Sequence, residues 1–189
     1  MRILSVDTST AACSLVLSTD GKLEGEINVE SKETHSVRLL PCLETLLRSC
    51  GYGINDVDAF AVVCGPGSFT GVRIGLTTIK GLAESLSRPT IPVTAFEAWV
   101  EKYPEQTGIL VPVIDARRGE VYGAVFSRNG ETTELLSPGR VEKVPELLAS
   151  IAHPQACFVG GGAVVHENLI AAHPGWRVLH GDLFLGRAV

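Results

Sequence analysis

Two aspartates stand where they could do chemistry. Asp7 closes the apolar run "ILSV", and Asp115 closes "VPVI". A carboxylate at the mouth of a strand can steer Mg²⁺ or a water toward a phosphate, provided the following turn lets the phosphate approach. The turn after Asp7 reads Thr8, Ser9, Thr10, and the turn after Asp115 reads Ala116, Arg117, Arg118, Gly119. The competing role is structural: each aspartate hydrogen-bonds its own backbone and closes a turn. The turn residues favour that role. A third candidate is "CGPGSFTGVRIG", Cys64 to Gly75. Its backbone N–H groups could hold an anion at a helix N-terminus, or Ser68 or Thr70 could simply cap the helix. No Ser lies in G-x-S-x-G, and no His and acid can be assigned to Ser68, so a nucleophile is not expected there. The histidines are 35, 153, 166, 173 and 180. None forms H-x-x-x-H or H-E-x-x-H, the spacings that put two imidazoles on one helix face. Four residues beyond His35 stands Leu39, and His35 reads as a polar residue at a helix start. The five cysteines contain no CxxC pair. They read as small core hydrophobes in a reducing cytoplasm, not as a disulfide framework or a zinc site.

The elements that must carry these residues follow from periodicity. "ILSVDTSTAACSLVL" reads as a hairpin with Asp7 at the mouth of its first strand. Leu39, Leu40, Leu43, Leu46, Leu47 and Cys50 recur at helical spacing, Pro41 falls in the early turns of that helix, and Gly51 stops it. "FAVVCG" is a buried strand. Val72, Leu76, Ile79, Leu82, Ala83 and Leu86 make a second helix, and "IPVTAFEAWVEKYP" gives a short strand and a third helix. The order then repeats. "VPVIDARRGEVYGAV" matches the first hairpin with Asp115 on Asp7, and "ACFVGGGAV" echoes "FAVVCGPGS". The chain of 189 residues is therefore expected to be an internal duplication. Its composition is that of a soluble globular protein, 45% apolar and 20% charged. A net charge of −5 with no basic run disfavours nucleic-acid binding by the chain alone. No apolar run is long enough to span a bilayer, and the N-terminus lacks the pattern of a signal peptide.

A duplicated domain whose halves each open on an Asp-ended hairpin resembles the actin-like ATPase superfamily, which includes sugar kinases and Hsp70-type ATPases. The resemblance implies an α/β fold of two similar subdomains with mixed sheets and helices, residues 1–105 and 106–189. Active members of that superfamily resemble Asp-x-Gly-x-Thr/Ser in the first hairpin, where glycine admits the phosphate. Ser9 holds the glycine position here, and the second turn has its glycine displaced and two bulky cations. Asp7, Ser68, Asp115 and Gly161 would then line only a vestigial nucleotide cleft.

Glycine is expensive inside a helix, by about 1 kcal/mol relative to Ala. Gly71 and Gly75 are therefore expected to bare one face for close approach of another backbone. The 39–50 helix carries more leucine than one sheet-facing stripe needs. Together these point to a partner surface built from Leu39, Leu40, Leu43, Leu47, Gly71, Gly75, Leu76, Ile79, Lys80 and Ala83. At this point the motifs "ILSVDTST", "HSVRLLPCLETLL", "CGPGSFTGVRIGLTTIKGLA" and "VIDARRGEVY" resemble the TsaB family, also called YeaZ, over most of the chain. The resemblance implies a cytoplasmic, non-catalytic scaffold that pairs through a four-helix interface with its catalytic paralogue TsaD and works with the ATPase TsaE. Together these proteins transfer threonylcarbamoyl to N6 of adenosine 37 in tRNAs reading codons that begin with A. TsaD carries H-x-x-x-H on the helix corresponding to the segment from His35, where this chain has Leu39. No cofactor is expected to bind tightly to this chain; ATP and metal belong to the partner proteins. The chain is expected to meet tRNA only through the complex, and an apolar surface of this kind could self-pair when the partner is absent. Family members run several tens of residues further, into a helix folded on the first domain, which implies a truncated chain here. Two alternatives come from other classes. An actin-like ATPase or small-molecule kinase is weakened by both turns, and a metallopeptidase lacks paired histidines.

Overall fold

Alternating apolar residues at the N-terminus build three antiparallel strands. These are β1 (Arg2–Asp7), β2 (Ala12–Thr19) and β3 (Lys22–Glu30). Asp7 lies opposite Ser14 across the β1–β2 ladder. Helix α1 (His35–Ser49) follows, stopped by Gly51 in the left-handed region at φ 80°. Pro41 sits within its second turn. Strand β4 (Ala59–Val63) runs parallel to β1, helix α2 (Phe69–Ser85) crosses back, and β5 (Thr90–Val93) runs parallel to β4. The sheet order is β3-β2-β1-β4-β5. Its core joins Leu4, Val6, Leu15 and Leu17 of the hairpin to Leu39, Leu43, Leu46 and Leu47 of α1 and Ile79 and Ala83 of α2. Each such leucine, fully buried, contributes about 1.5–3 kcal/mol.

Helix α3 (Ala95–Glu101) leads into the second half. There β6 (Gly108–Arg117), β7 (Glu120–Asn129) and β8 (Thr132–Lys143) are antiparallel neighbours. Helix α4 (Val144–Ser150), β9 (Ala156–Val159), the short helices α5 (Gly161–Val165) and α6 (Glu167–Ala171), and β10 (Trp176–Val178) complete it. The order β8-β7-β6-β9-β10 repeats, strand for strand, the order of the first sheet. In both, strands one to three meander and strands four and five are parallel additions beyond strand one. Register differs at one point. An irregularity between Asp115 and Arg117 places Val121, not Tyr122, opposite Asp115.

This computed structural model describes residues 1–182 and 184–189. Two compact units emerge, Met1–Ala98 with Phe184–Val189, and Trp99–Leu183. The division falls inside α3, where the sequence pattern put it at 105/106. The last residues belong to the first unit: Leu185 is fully buried, and the Gly186 N–H donates to Ser14 Oγ at 3.0 Å. Strands β3 and β8, both sheet edges, have no counterpart in the sequence reading: β8 is largely polar, and the alternation of Leu23, Ile27 and Val29 in β3 is interrupted by Gly25.

Candidate functional site

The β1–β2 turn, Asp7 to Ala11, is where an actin-like protein would receive a phosphate, and here it is held from two sides by its own unit. Asp7 is fully buried, and its Oδ1 accepts the Ser9 N–H at 2.7 Å. Thr8 Oγ1 donates to the Gly71 carbonyl at 2.8 Å, and the Ser9 carbonyl accepts the Ser68 N–H at 2.7 Å. The glycine loop and the first turns of α2 thus lie directly on the hairpin turn. This is why the glycines are needed. A Cβ on Gly67 would collide with the Ser9 carbonyl, one on Gly71 with the Thr8 carbonyl, and one on Gly75 with Thr8 Oγ1. Ser68 caps α2, its Oγ accepting the Gly71 N–H at 3.2 Å, so of the two roles weighed for it the cap is the one formed.

The other side of the turn is held by α1. His35 Nε2 lies 2.9 Å from the Thr10 carbonyl, and His35 Nδ1 lies 3.1 Å from Arg38 Nη2. Because Arg38 can only donate, Nδ1 accepts and Nε2–H donates to Thr10, which specifies a neutral imidazole. Burial, with the Arg38 charge beside it, pushes the His35 pKa below its ordinary value, against the Thr10 hydrogen bond that pulls it up. Arg38 is itself buried and also donates to the carbonyls of Ala11 and Ser31 and to Ser31 Oγ. With both imidazole nitrogens engaged, His35 has no lone pair left for a metal. Among the described residues no group of three or more His, Cys, Asp or Glu is placed to hold one. Arg38 is the residue that the sequence pattern did not single out. Its signal was present: positions 35 and 38 fall on the core-facing stripe of α1 with Leu39, so their polar side chains had to be satisfied inside.

In the second unit Asp115 repeats the role of Asp7, its Oδ1 accepting the Arg117 N–H at 2.7 Å. Asp115 is exposed where Asp7 is buried. Gly161 opens α5, and its neighbours Gly160 and Gly162 lie against the Val113 carbonyl. Among the cysteines, all free, Cys13 and Cys157 are buried, and burial with Cys42 nearby pushes the Cys13 thiol up to about 12. Cys64 is exposed, contrary to the core reading.

The partner surface expected from sequence needs correction at seven of its residues. Leu39, Leu43, Leu47, Ile79 and Ala83 are core residues of the first unit, and Gly71 and Gly75 face the unit's own Thr8. Helical spacing alone does not say which partner a stripe meets, and here it is the sheet and hairpin beneath. Leu40 and Lys80 remain exposed, and Leu76 is half-buried. The outward apolar side chains on these two helices are Val37 at 59% exposure, Leu40 at 52% and Phe69 at 79%. Phe69, Arg73, Leu76 and Lys80 follow one another at spacings of four, three and four, a single stripe of α2.

Comparison with known proteins sets this geometry in a family. Over 172 residues the chain is 31% identical to the tRNA threonylcarbamoyladenosine biosynthesis protein TsaB of Bacillus subtilis, covering 90% of this chain and 75% of that one. The chain belongs to the TsaB family. The TsaB protein of Escherichia coli is 39% identical over 142 residues, which are 71% of this chain and 61% of that protein. Residues 24–173 also match the family model "TsaD: tRNA N6-adenosine threonylcarbamoyltransferase". Among solved structures, YeaZ from Pseudomonas aeruginosa superposes with a TM-score of 0.82 at 30% identity, over 99% of this chain and 88% of that one. The ethanolamine utilization protein EutJ from Carboxydothermus hydrogenoformans shares the fold alone, with a TM-score of 0.61 at 12% identity over 100% of this chain and 88% of that one. With two sheets of identical strand order, the fold is the duplicated actin-like α/β fold. Among the described residues no helix is long and apolar enough to cross a membrane.

Proposed function

We propose that this chain is a non-catalytic scaffold in tRNA threonylcarbamoyladenosine synthesis. In this reading it pairs with a TsaD-like transferase, works with a TsaE-like ATPase, and supports transfer of threonylcarbamoyl to N6 of adenosine 37. The pathway comes from TsaB relatives in two organisms that carry its name. The observation that carries the non-catalytic part is the packing of the glycine loop onto the β1–β2 turn. Backbone of α2 and its loop lies against Thr8 and Ser9, where a phosphate would need to enter. Ser9 in place of glycine agrees with that, and so does the engagement of both His35 nitrogens. The pairing part rests on the exposed Val37, Leu40 and Phe69 on α1 and α2, with Leu76 half-buried beside them, apolar area that a helical partner would cover. The same stripe would support self-pairing when the transferase is absent. ATP and metal act on the partner proteins.

The deciding experiment is reconstitution of tRNA modification with the partner proteins. Omitting this chain is expected to abolish product. Asp7→Asn and Asp115→Ala should leave the rate within a few-fold, since each aspartate closes a turn. A loss of several orders of magnitude with folding intact would make the chain an active nucleotide enzyme. Tight binding of ATP and Mg²⁺ to the isolated chain by calorimetry would say the same.

A further inference from the structure

The β6–β7 turn is built from residues that suit its backbone poorly. Arg117 pairs with Glu120 across the ladder, so Arg118 and Gly119 form a two-residue turn. Residues 117, 118 and 119 are all left-handed, at φ 70°, 56° and 77°. Two-residue hairpin turns of this hand favour Asn-Gly or Asp-Gly. The β2–β3 turn obeys that preference with Asp20 and Gly21 at 49° and 75°. Two consecutive arginines in the left-handed region gain nothing for folding, and backbone outliers of this kind collect at functional positions.

Their surroundings say what the arginines are placed for. The Arg117 side chain is 88% exposed and, among the described residues, its one ion pair is with Asp115 at 4.0 Å. Arg118 is exposed and, among the described residues, makes no ion pair. The nearby carboxylates sit behind the tip: Asp115 accepts the Arg117 N–H, and Glu120 faces Lys143 across the next ladder. Two guanidinium forks are thus held out at the tip of a hairpin, in a chain whose overall charge of −5 makes a cationic tip unexpected. Guanidinium is the side chain best matched to phosphate oxygens, which it can meet with paired N–H donors.

We propose that the Arg117–Arg118 turn contacts backbone phosphates of the tRNA held by the assembled complex. This rests on the reading given under Proposed function and adds to it a point of RNA contact on the scaffold chain. Each arginine neutralises about one phosphate, so the pair contributes to the salt dependence of binding and not to base recognition.

The test is tRNA binding by the complex of this chain with its transferase and ATPase partners, titrated from 50 to 200 mM salt with an unmodified tRNA reading codons that begin with A. Arg117→Ala/Arg118→Ala is expected to weaken binding and reduce the slope of log affinity against log salt by about 1.4–1.8. That corresponds to roughly tenfold less change in affinity across this range. Arg117→Lys/Arg118→Lys should keep most of the slope. Arg118→Asn, which suits the turn, should raise the melting temperature of the free chain while lowering tRNA affinity. An unchanged affinity and slope in the double alanine variant overturns the proposal, as does a loss of complex assembly, which would make the turn a protein contact. If the wild-type complex neither binds nor modifies tRNA, the functional reading falls and this proposal with it.

Discussion

Gly75 shows how one missing side chain can be read two ways. In sequence it looks like a bared helix face awaiting a partner; in the fold it accommodates Thr8 Oγ1, and Gly71 accommodates the Thr8 carbonyl. Gly71→Ala and Gly75→Leu are therefore expected to destabilise the free chain, by about 1–3 kcal/mol for an overpacked site. A thermal melt checks this, and an unchanged melting temperature with lost partner binding would restore the glycines to the interface. Gly81 is the contrast. It lies on the exposed side of α2 with nothing near its Cβ position, so Gly81→Ala should stabilise by up to about 1 kcal/mol. His35 gives a pH prediction at the same scale. Its native pKa is depressed, so protonation is resisted in the folded state and free in the unfolded one. The stability supplied by the neutral imidazole is fully present above about pH 6.5 and lost as pH falls below it through the native value. Melting temperature followed from pH 7.5 to 5 should fall more steeply for the wild type than for His35→Gln.

At the scale of elements, α1 and α2 each do two jobs on opposite faces. Their inner faces carry Leu39, Leu43, Leu47, Ile79 and Ala83 into the core. Their outer faces leave Val37, Leu40 and Phe69 in solvent. Desolvated anchors dominate interfaces, and a charge placed on one costs the contact without touching the fold. Leu40→Asp and Phe69→Ser should lower affinity for the TsaD-like partner at least tenfold, each a loss of about 1.4 kcal/mol or more. Circular dichroism and melting of the free chain should stay unchanged. Wild-type affinity in both variants would move the docking face elsewhere on the molecule.

For the molecule as a whole, charge sets the expectation for nucleic acid. With a net charge of −5 and no long basic run, the isolated chain should bind tRNA no more tightly than micromolar at physiological salt. Sub-micromolar binding by the free chain in a filter or fluorescence titration would contradict this.

While α4 and α6 were not read, the amino-acid pattern alone determined the duplication, the Asp-ended hairpins and the three helices of the first half. These rest on local periodicity and turn chemistry, which a linear chain displays directly. The aspartates' role in closing turns was equally legible, because Ser9 and Arg117 are each two residues on, within reach of their own carboxylate. Edge strands β3 and β8 were not read, since β8 is largely polar and Gly25 breaks the apolar alternation of β3. Nor was the outward face of the helices. Which neighbour a glycine or leucine stripe meets depends on residues some sixty positions away, as Thr8 meets Gly71. The burial of Arg38 followed the same way: its carbonyl acceptors at Ala11 and Ser31 come together only once the hairpin, the loop after β3 and α1 are folded against one another.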